Sequence, residues 1–351
     1  MPPAPPAPAP RAAATWDELR ASLSPQLLAR VDVRLDEPLW RHTTNRLGGP
    51  ADVWARPHDE DALAALLAAA ARLQLPTTFI GAGSNLLVRD GGVRGLVIHP
   101  GALDQVTLRD PQGGPFAPGG PAVMHVHAGA STGRVLQRAT HAELGGVEFL
   151  GGVPGSIGGG LVMNAGTYLG EFTDVVAQVR SLAPGGLVVT RAHAACGFRY
   201  RASDLPPTEV VVACELRLGH RNRAAIEHDV RELRDRRRSR EPSGVATNGS
   251  TFKNPPGDYA GRLIEAAGLK GTRIGACEVS PKHANWLVVH RDGAAPPRAR
   301  DMLALIERTR GEVEAQFGVR LELEVKVLGE PGDGALLAPA GRGAPLAAGG
   351  D

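Results

Sequence analysis

Lysine is nearly missing from this chain of 351 residues: it occurs only at Lys253, Lys270, Lys282 and Lys326, and arginine supplies the rest of the basic charge. Acidic residues almost balance it, leaving a formal net charge of +2, so no field of one sign calls for nucleic acid as the main partner. Cysteine is equally sparse. Cys196, Cys214 and Cys277 are an odd set without CxxC spacing, which argues against a disulfide framework or a thiolate metal site and fits buried free thiols in a reducing compartment. No apolar run reaches the ~18 residues of a membrane span, and the first residues lack the charged start and apolar core of a secretory signal. A cytoplasmic protein with no membrane insertion is expected.

Glycine, in contrast, is abundant and concentrated. The stretch from Gly145 to Tyr168 holds Gly151-Gly152-Val153-Pro154-Gly155-Ser156-Ile157-Gly158-Gly159-Gly160. Glycine so dense is usually kept where the backbone turns sharply or approaches something closely. Bare N–H groups in such turns form concave anion sites, and phosphate is their common guest; close packing of crossing backbones would use glycine as well. A second glycine loop, Gly81-Ala82-Gly83-Ser84-Asn85, follows a short apolar run at 77–80. It begins like a dinucleotide fingerprint, but Leu86 stands where the third glycine belongs and no helix follows, so a Rossmann reading fails.

Around these loops the pattern alternates between helix and strand. Residues 1–14 are a Pro/Ala-rich tail, expected to be disordered, and so are residues 330–351. Helices are expected from about Asp61 to Leu73 with Asp59 as cap, from Ser131 or Thr132 to His141, from Asn222 to Arg240, and from Ala299 to Phe317. Strands are expected at 95–99, 124–128, 174–182, 187–190 and 209–218, and as a strict alternation from Leu321 to Val327 with Glu322, Glu324 and Lys326 on one face. His125 and His127 share one side of a strand; without a third ligand they are read as ordinary polar positions, and no metal is expected. The arginines closing the Asn222–Arg240 helix complement its dipole. Ala246 to Gly257 is polar, aperiodic and rich in glycine and proline, which fits either a ligand-facing loop or a plain polar turn.

Seven motifs in order, Thr43-Thr44 with Gly48-Gly49, Gly81 to Asn85, Gly152 to Gly159, Met163-Asn164-Ala165-Gly166, Tyr200-Arg201, Gly249 to Pro255 and Leu323-Glu324-Val325, make the chain resemble the UDP-N-acetylenolpyruvoylglucosamine reductases of peptidoglycan synthesis. The resemblance implies an α+β architecture: a two-lobed FAD-binding fold of the vanillyl-alcohol-oxidase type over 15–218, its lobes split near 100–125, then an α+β substrate-binding domain over 219–329. His42, Gly160 and Thr167 depart from the residues frequent at their positions. The chain looks like the subgroup without an inserted tyrosine loop.

The activity implied is NADPH-dependent, FAD-mediated reduction of the enolpyruvyl ether of UDP-N-acetylglucosamine to UDP-N-acetylmuramate, by a protein expected to act as a monomer. By motif position Ser250 would be the proton donor, Arg201 the electrophile facing the substrate carboxylate, and Glu324 its partner. Gly81, Ala82, Gly83, Ser84, Asn85, Gly155, Ser156, Gly158 and Gly159 would hold the cofactor, and Lys253 and Asn254 the diphosphate or sugar. Another flavin oxidase on the same cofactor lobes, or a nucleotide-binding module without activity, would share the glycine loops but not the Gly249 to Pro255 motif.

Overall fold

The computed structural model describes residues 10–293 and 296–332, so most of both tails lies outside the described residues. Helix and strand are mixed throughout, in agreement with the α+β expectation. In the first lobe the strands Val31–Pro38, Pro50–Pro57, Val93–Ile98 and Thr77–Phe79 form one sheet in that spatial order. The helix Glu60–Arg72 covers it, with Asp59 accepting the N–H of Ala62 as foreseen, and buries Leu63, Leu66 and Leu67 against Val53, Leu96 and Ile98. A further helix, Pro10–Ala21, begins inside the span read as tail, because Ala12 and Leu19 find apolar cover and are fully buried.

The second lobe is a larger sheet, in the order Leu187–Ala192, Val176–Ala183, Val210–His220, Ala122–His127 and Val106–Arg109. Its inner face packs on the helix Thr132–His141, whose cap is Ser131, and on a short helix, Ile157–Met163, hidden in the glycine-rich block. Gly160 has a steric reason: a Cβ there would lie 2.4 Å from the ring of Phe172, which is fully buried. Periodicity gave no sign of this helix, since three consecutive glycines carry no apolar stripe.

The helix Arg223–Arg240, assigned to the substrate domain, lays Ile226 and Val230 into the core of the second lobe. The segment after it has its own core, built from a four-stranded sheet (Ala246–Ser250, Trp286–Val289, Cys277–Val279, Arg273–Ile274) and the helices Ala260–Ala266 and Ala299–Phe317. Its last piece returns to the first lobe. The alternating run from Leu321 is not one strand: Glu324 donates its N–H to the Thr251 carbonyl, Leu323 bridges Phe252, and only Lys326–Leu328 is regular, pairing in parallel with Leu86–Val88.

That return is reinforced by polar contacts from the first lobe. Asp90 accepts the N–H groups of Ala299 and Arg300, each at 2.9 Å, and so caps a helix more than two hundred residues away whose own N-terminal residue, Arg298, makes no side-chain cap. Asn45, fully buried, donates to the Leu86 carbonyl and to Asn248 Oδ1, and Asn248 donates to the same carbonyl. The first lobe and the C-terminal segment thus form a continuous wall, and the second lobe faces it.

Candidate active site

A cleft of about 510 Å³ runs between that wall and the second lobe. Both glycine loops line it. Gly81, Ala82, Gly83, Ser84 and Asn85 enter from the first lobe, and Ser156, Gly158 and Gly159 from the second. The loops abut: Ser84 Oγ donates to the Pro154 carbonyl at 3.1 Å, and a Cβ on Gly81 would stand 2.5 Å from Ser156 Oγ. Gly83 has φ +66° and a Cβ there would meet the His42 carbonyl at 1.9 Å, so only glycine allows the turn. Gly155 does not line the cleft; its carbonyl accepts the N–H of Thr132 and its Cα backs onto Ser84. Bare, N–H-rich backbone on two facing walls, with Phe79, Val210 and Val211 as apolar lining, is a donor set suited to a diphosphate-linked dinucleotide.

Arg201, Ser250 and Glu324, far apart in sequence, all line this cleft. Arg201 sits after Tyr200 with φ +54°, an unusual conformation for a residue with a side chain, and this turns it back toward the cleft. Its Nη2 donates to the Gly166 carbonyl at 3.0 Å, its Nε lies 3.4 Å from Glu324 Oε1, and its guanidinium carbon stacks 5.0 Å from the Tyr200 ring centre. Burial pushes the Glu324 carboxyl above the usual carboxylate range, with Arg201 and Lys253 pulling the other way. Its backbone is fixed independently, because Asn85 Nδ2 donates to the Glu324 carbonyl at 3.0 Å.

Ser250 ends the strand Ala246–Ser250, in the segment read as either a ligand-facing loop or a turn. A break in register between Thr247 and Ser250, at Gly249 with φ +79°, re-aims the serine relative to its strand. Among the described residues no side-chain hydrogen bond engages its hydroxyl. The two expected substrate contacts are engaged within the protein. Lys253 and Asn254 are not part of the cleft lining: Lys253 pairs with Glu322 at 2.5 Å, and Asn254 Oδ1 accepts the Ala260 N–H to cap the next helix.

Sequence reasoning passed over four side chains that also line the cleft or hold its residues. Arg237 and Glu241, paired at 2.7 Å, both line it, as does Lys326. Asn164, fully buried with φ +42°, caps the Ile157–Met163 helix and reaches toward Glu171, which lies 4.0 Å from Arg201. An asparagine directly after a glycine-rich helical turn is the signal that was available for it. Among the described residues no group of three or more His, Cys, Asp or Glu is placed to hold a metal, and no helix is long and apolar enough to cross a membrane.

Residues 51–200 match the family described as FAD binding domain, and residues 241–328 match that described as UDP-N-acetylenolpyruvoylglucosamine reductase, C-terminal domain. A UDP-N-acetylenolpyruvoylglucosamine reductase of Anaeromyxobacter dehalogenans is 47% identical over 295 residues, covering 84% of this chain and 85% of the relative. The chain belongs to the UDP-N-acetylenolpyruvoylglucosamine reductase family. A second member, from Symbiobacterium thermophilum, is 42% identical over 85% of this chain and 92% of its own. The crystal structure of the reductase from Thermus caldophilus superposes with a TM-score of 0.69 at 34% identity, over 85% of this chain and 98% of that one. The two-lobed FAD-binding fold and the FAD-dependent oxidoreductase class expected from the motifs are those of this family.

Proposed function

We propose that this chain reduces UDP-N-acetyl-3-O-(1-carboxyvinyl)glucosamine to UDP-N-acetylmuramate with NADPH, for peptidoglycan precursor synthesis. Bound FAD supplies the hydride relay between NADPH and the substrate's double bond. The glycine loops at 81–85 and 156–159 would hold its diphosphate through backbone N–H groups. The reading is carried by one observation: Arg201, Ser250 and Glu324 converge on a cleft whose other wall is the facing pair of glycine loops.

Hydride added to C3 of the enolpyruvyl group leaves negative charge on the adjoining carboxylate, and C2 must then take a proton. Arg201 answers the first need, because a guanidinium fork matches a carboxylate and the attraction grows as charge develops. Ser250 answers the second, with a hydroxyl that no side-chain hydrogen bond engages among the described residues. Burial favours the protonated form of Glu324, in which it would polarise the same carboxylate without opposing its charge. Lys253 tempers the field at Glu324, and with Asn254 it remains a candidate to hold the diphosphate or sugar.

We also divide the chain differently from the motif-based expectation: a cofactor-binding unit through Arg240, then a substrate-binding segment whose end returns to the first lobe. Support comes from Ile226 and Val230 in the second-lobe core and from the parallel pairing of Lys326–Leu328 with Leu86–Val88. The site is complete within one chain, which suits a monomer, and three buried free thiols suit the cytoplasm. A visible spectrum tests the whole reading. The purified protein should be yellow, bleach with NADPH and recover colour with the UDP-linked enolpyruvyl ether; a colourless protein, or colour restored by oxygen alone, counts against it.

A further inference from the structure

Arg201 faces two carboxylates, not one. Glu324 Oε1 is 3.4 Å from its Nε and Glu171 Oε2 is 4.0 Å from its Nη1, while the side chains of all three are less than a third exposed. Two carboxylates this close to one guanidinium compete for its charge at the place where the substrate's carboxylate must bind.

The hydrogen bonds distinguish them. Glu171 Oε1 accepts the side-chain amide of Asn164 at 2.9 Å, and the Glu171 side chain also accepts the backbone N–H of Asp174 in a reciprocal cap. These donors hold the Glu171 carboxyl in one orientation beside Arg201. Asn164 is held in turn, since its Oδ1 accepts the Thr173 N–H at 2.9 Å. The Glu324 carboxyl has no hydrogen-bond donor of its own among the described residues. Arg201 is the one cation within 4.0 Å of it among the described residues, and it is the more buried of the pair.

We infer that Glu171, locked in place by Asn164, is the standing counter-ion of Arg201, which leaves Glu324 free to keep its proton. This rests on the functional reading above. Glu171 is a positioning residue: it holds the guanidinium charged and aimed, and the Tyr200 ring and the Gly166 carbonyl fix the remaining directions. The other charged groups about the site include Asp174 beside Glu171, Lys253 acting on Glu324, and Glu209, Arg237, Glu241 and Lys326 on the cleft wall.

The test is stopped-flow measurement of both half-reactions across pH in the parent, Glu171→Gln and Glu171→Asp holoenzymes. With Glu171 neutralised, Arg201 leans wholly on Glu324 and favours its carboxylate. Substrate-driven reoxidation should therefore slow about tenfold, and its high-pH limb should move about a unit lower. The NADPH-driven half should change less. Glu171→Asp should recover most of the rate and return the limb toward its parental position. A limb that stays put in Glu171→Gln overturns the proposal. So does an equal loss in both halves with a lower melting temperature, which would reduce Glu171 to its capping role. A parent that bleaches with NADPH but is not reoxidised by the UDP-linked ether overturns the functional reading itself, and that result is read without any variant.

Discussion

At the scale of single residues the site depends on side chains whose charge state is set by their surroundings. Ser250→Ala should leave NADPH-driven bleaching in place while slowing reoxidation by substrate at least ~100-fold, the size expected for loss of a general acid. Separate half-reaction measurements check this, and equal slowing of both would remove Ser250 from proton transfer. Glu324 gives a pH signature. Its folded-state pKa is raised by burial, so its contribution to stability is present at acid pH and is lost as pH rises through the raised value. Glu324→Gln has nothing to ionise. The melting temperature of the variant, relative to the parent, should rise from about pH 4 to about pH 8, and calorimetry at several pH values checks the sign.

Among elements, the cap supplied by Asp90 to the helix Ala299–Phe317 joins two parts of the chain that share little else in sequence. Both of its carboxylate oxygens take backbone N–H groups, and its charge also favours the positive end of the helix dipole. Asp90→Ala should cost about 1 kcal/mol, and Asp90→Asn less, because the amide retains one acceptor. Denaturant midpoints for the pair give the comparison. Helix and strand positions of this kind were mostly legible. Asp59 and Ser131 cap where their side chains announced it, and Ala299–Phe317 has the expected limits. The strand Pro50–Pro57 went unread because it is buried along nearly its whole length and shows no alternation.

Taken whole, the molecule places its three thiols in its interior. Cys196 and Cys214 sit in the second-lobe core and Cys277 in the C-terminal core, and burial pushes the Cys277 thiol up to about 12. Native protein should therefore resist alkylation at mildly alkaline pH and label fully once denatured, which mass spectrometry can count. Early labelling of Cys277 would mean that the C-terminal core opens independently of the rest. The same layout supports the proposed division of the chain after Arg240. A basic helix reads alike whichever body it packs on, and only the seating of Ile226 and Val230 assigns Arg223–Arg240 to the second lobe.

What the amino-acid sequence determined on its own was local: glycine where backbone must come close, caps at helix starts, and motifs in an order that marks the family. Tertiary structure decided which side chains share a site. Lys253 and Asn254 lie within four residues of Ser250 yet bond Glu322 and the Ala260 N–H, while Asn164 and Glu171, distant in sequence from Glu324, meet it through Arg201. The reason is physical. A polar side chain bonds whatever unsatisfied donor or acceptor the fold brings within reach, and composition or spacing does not fix that choice.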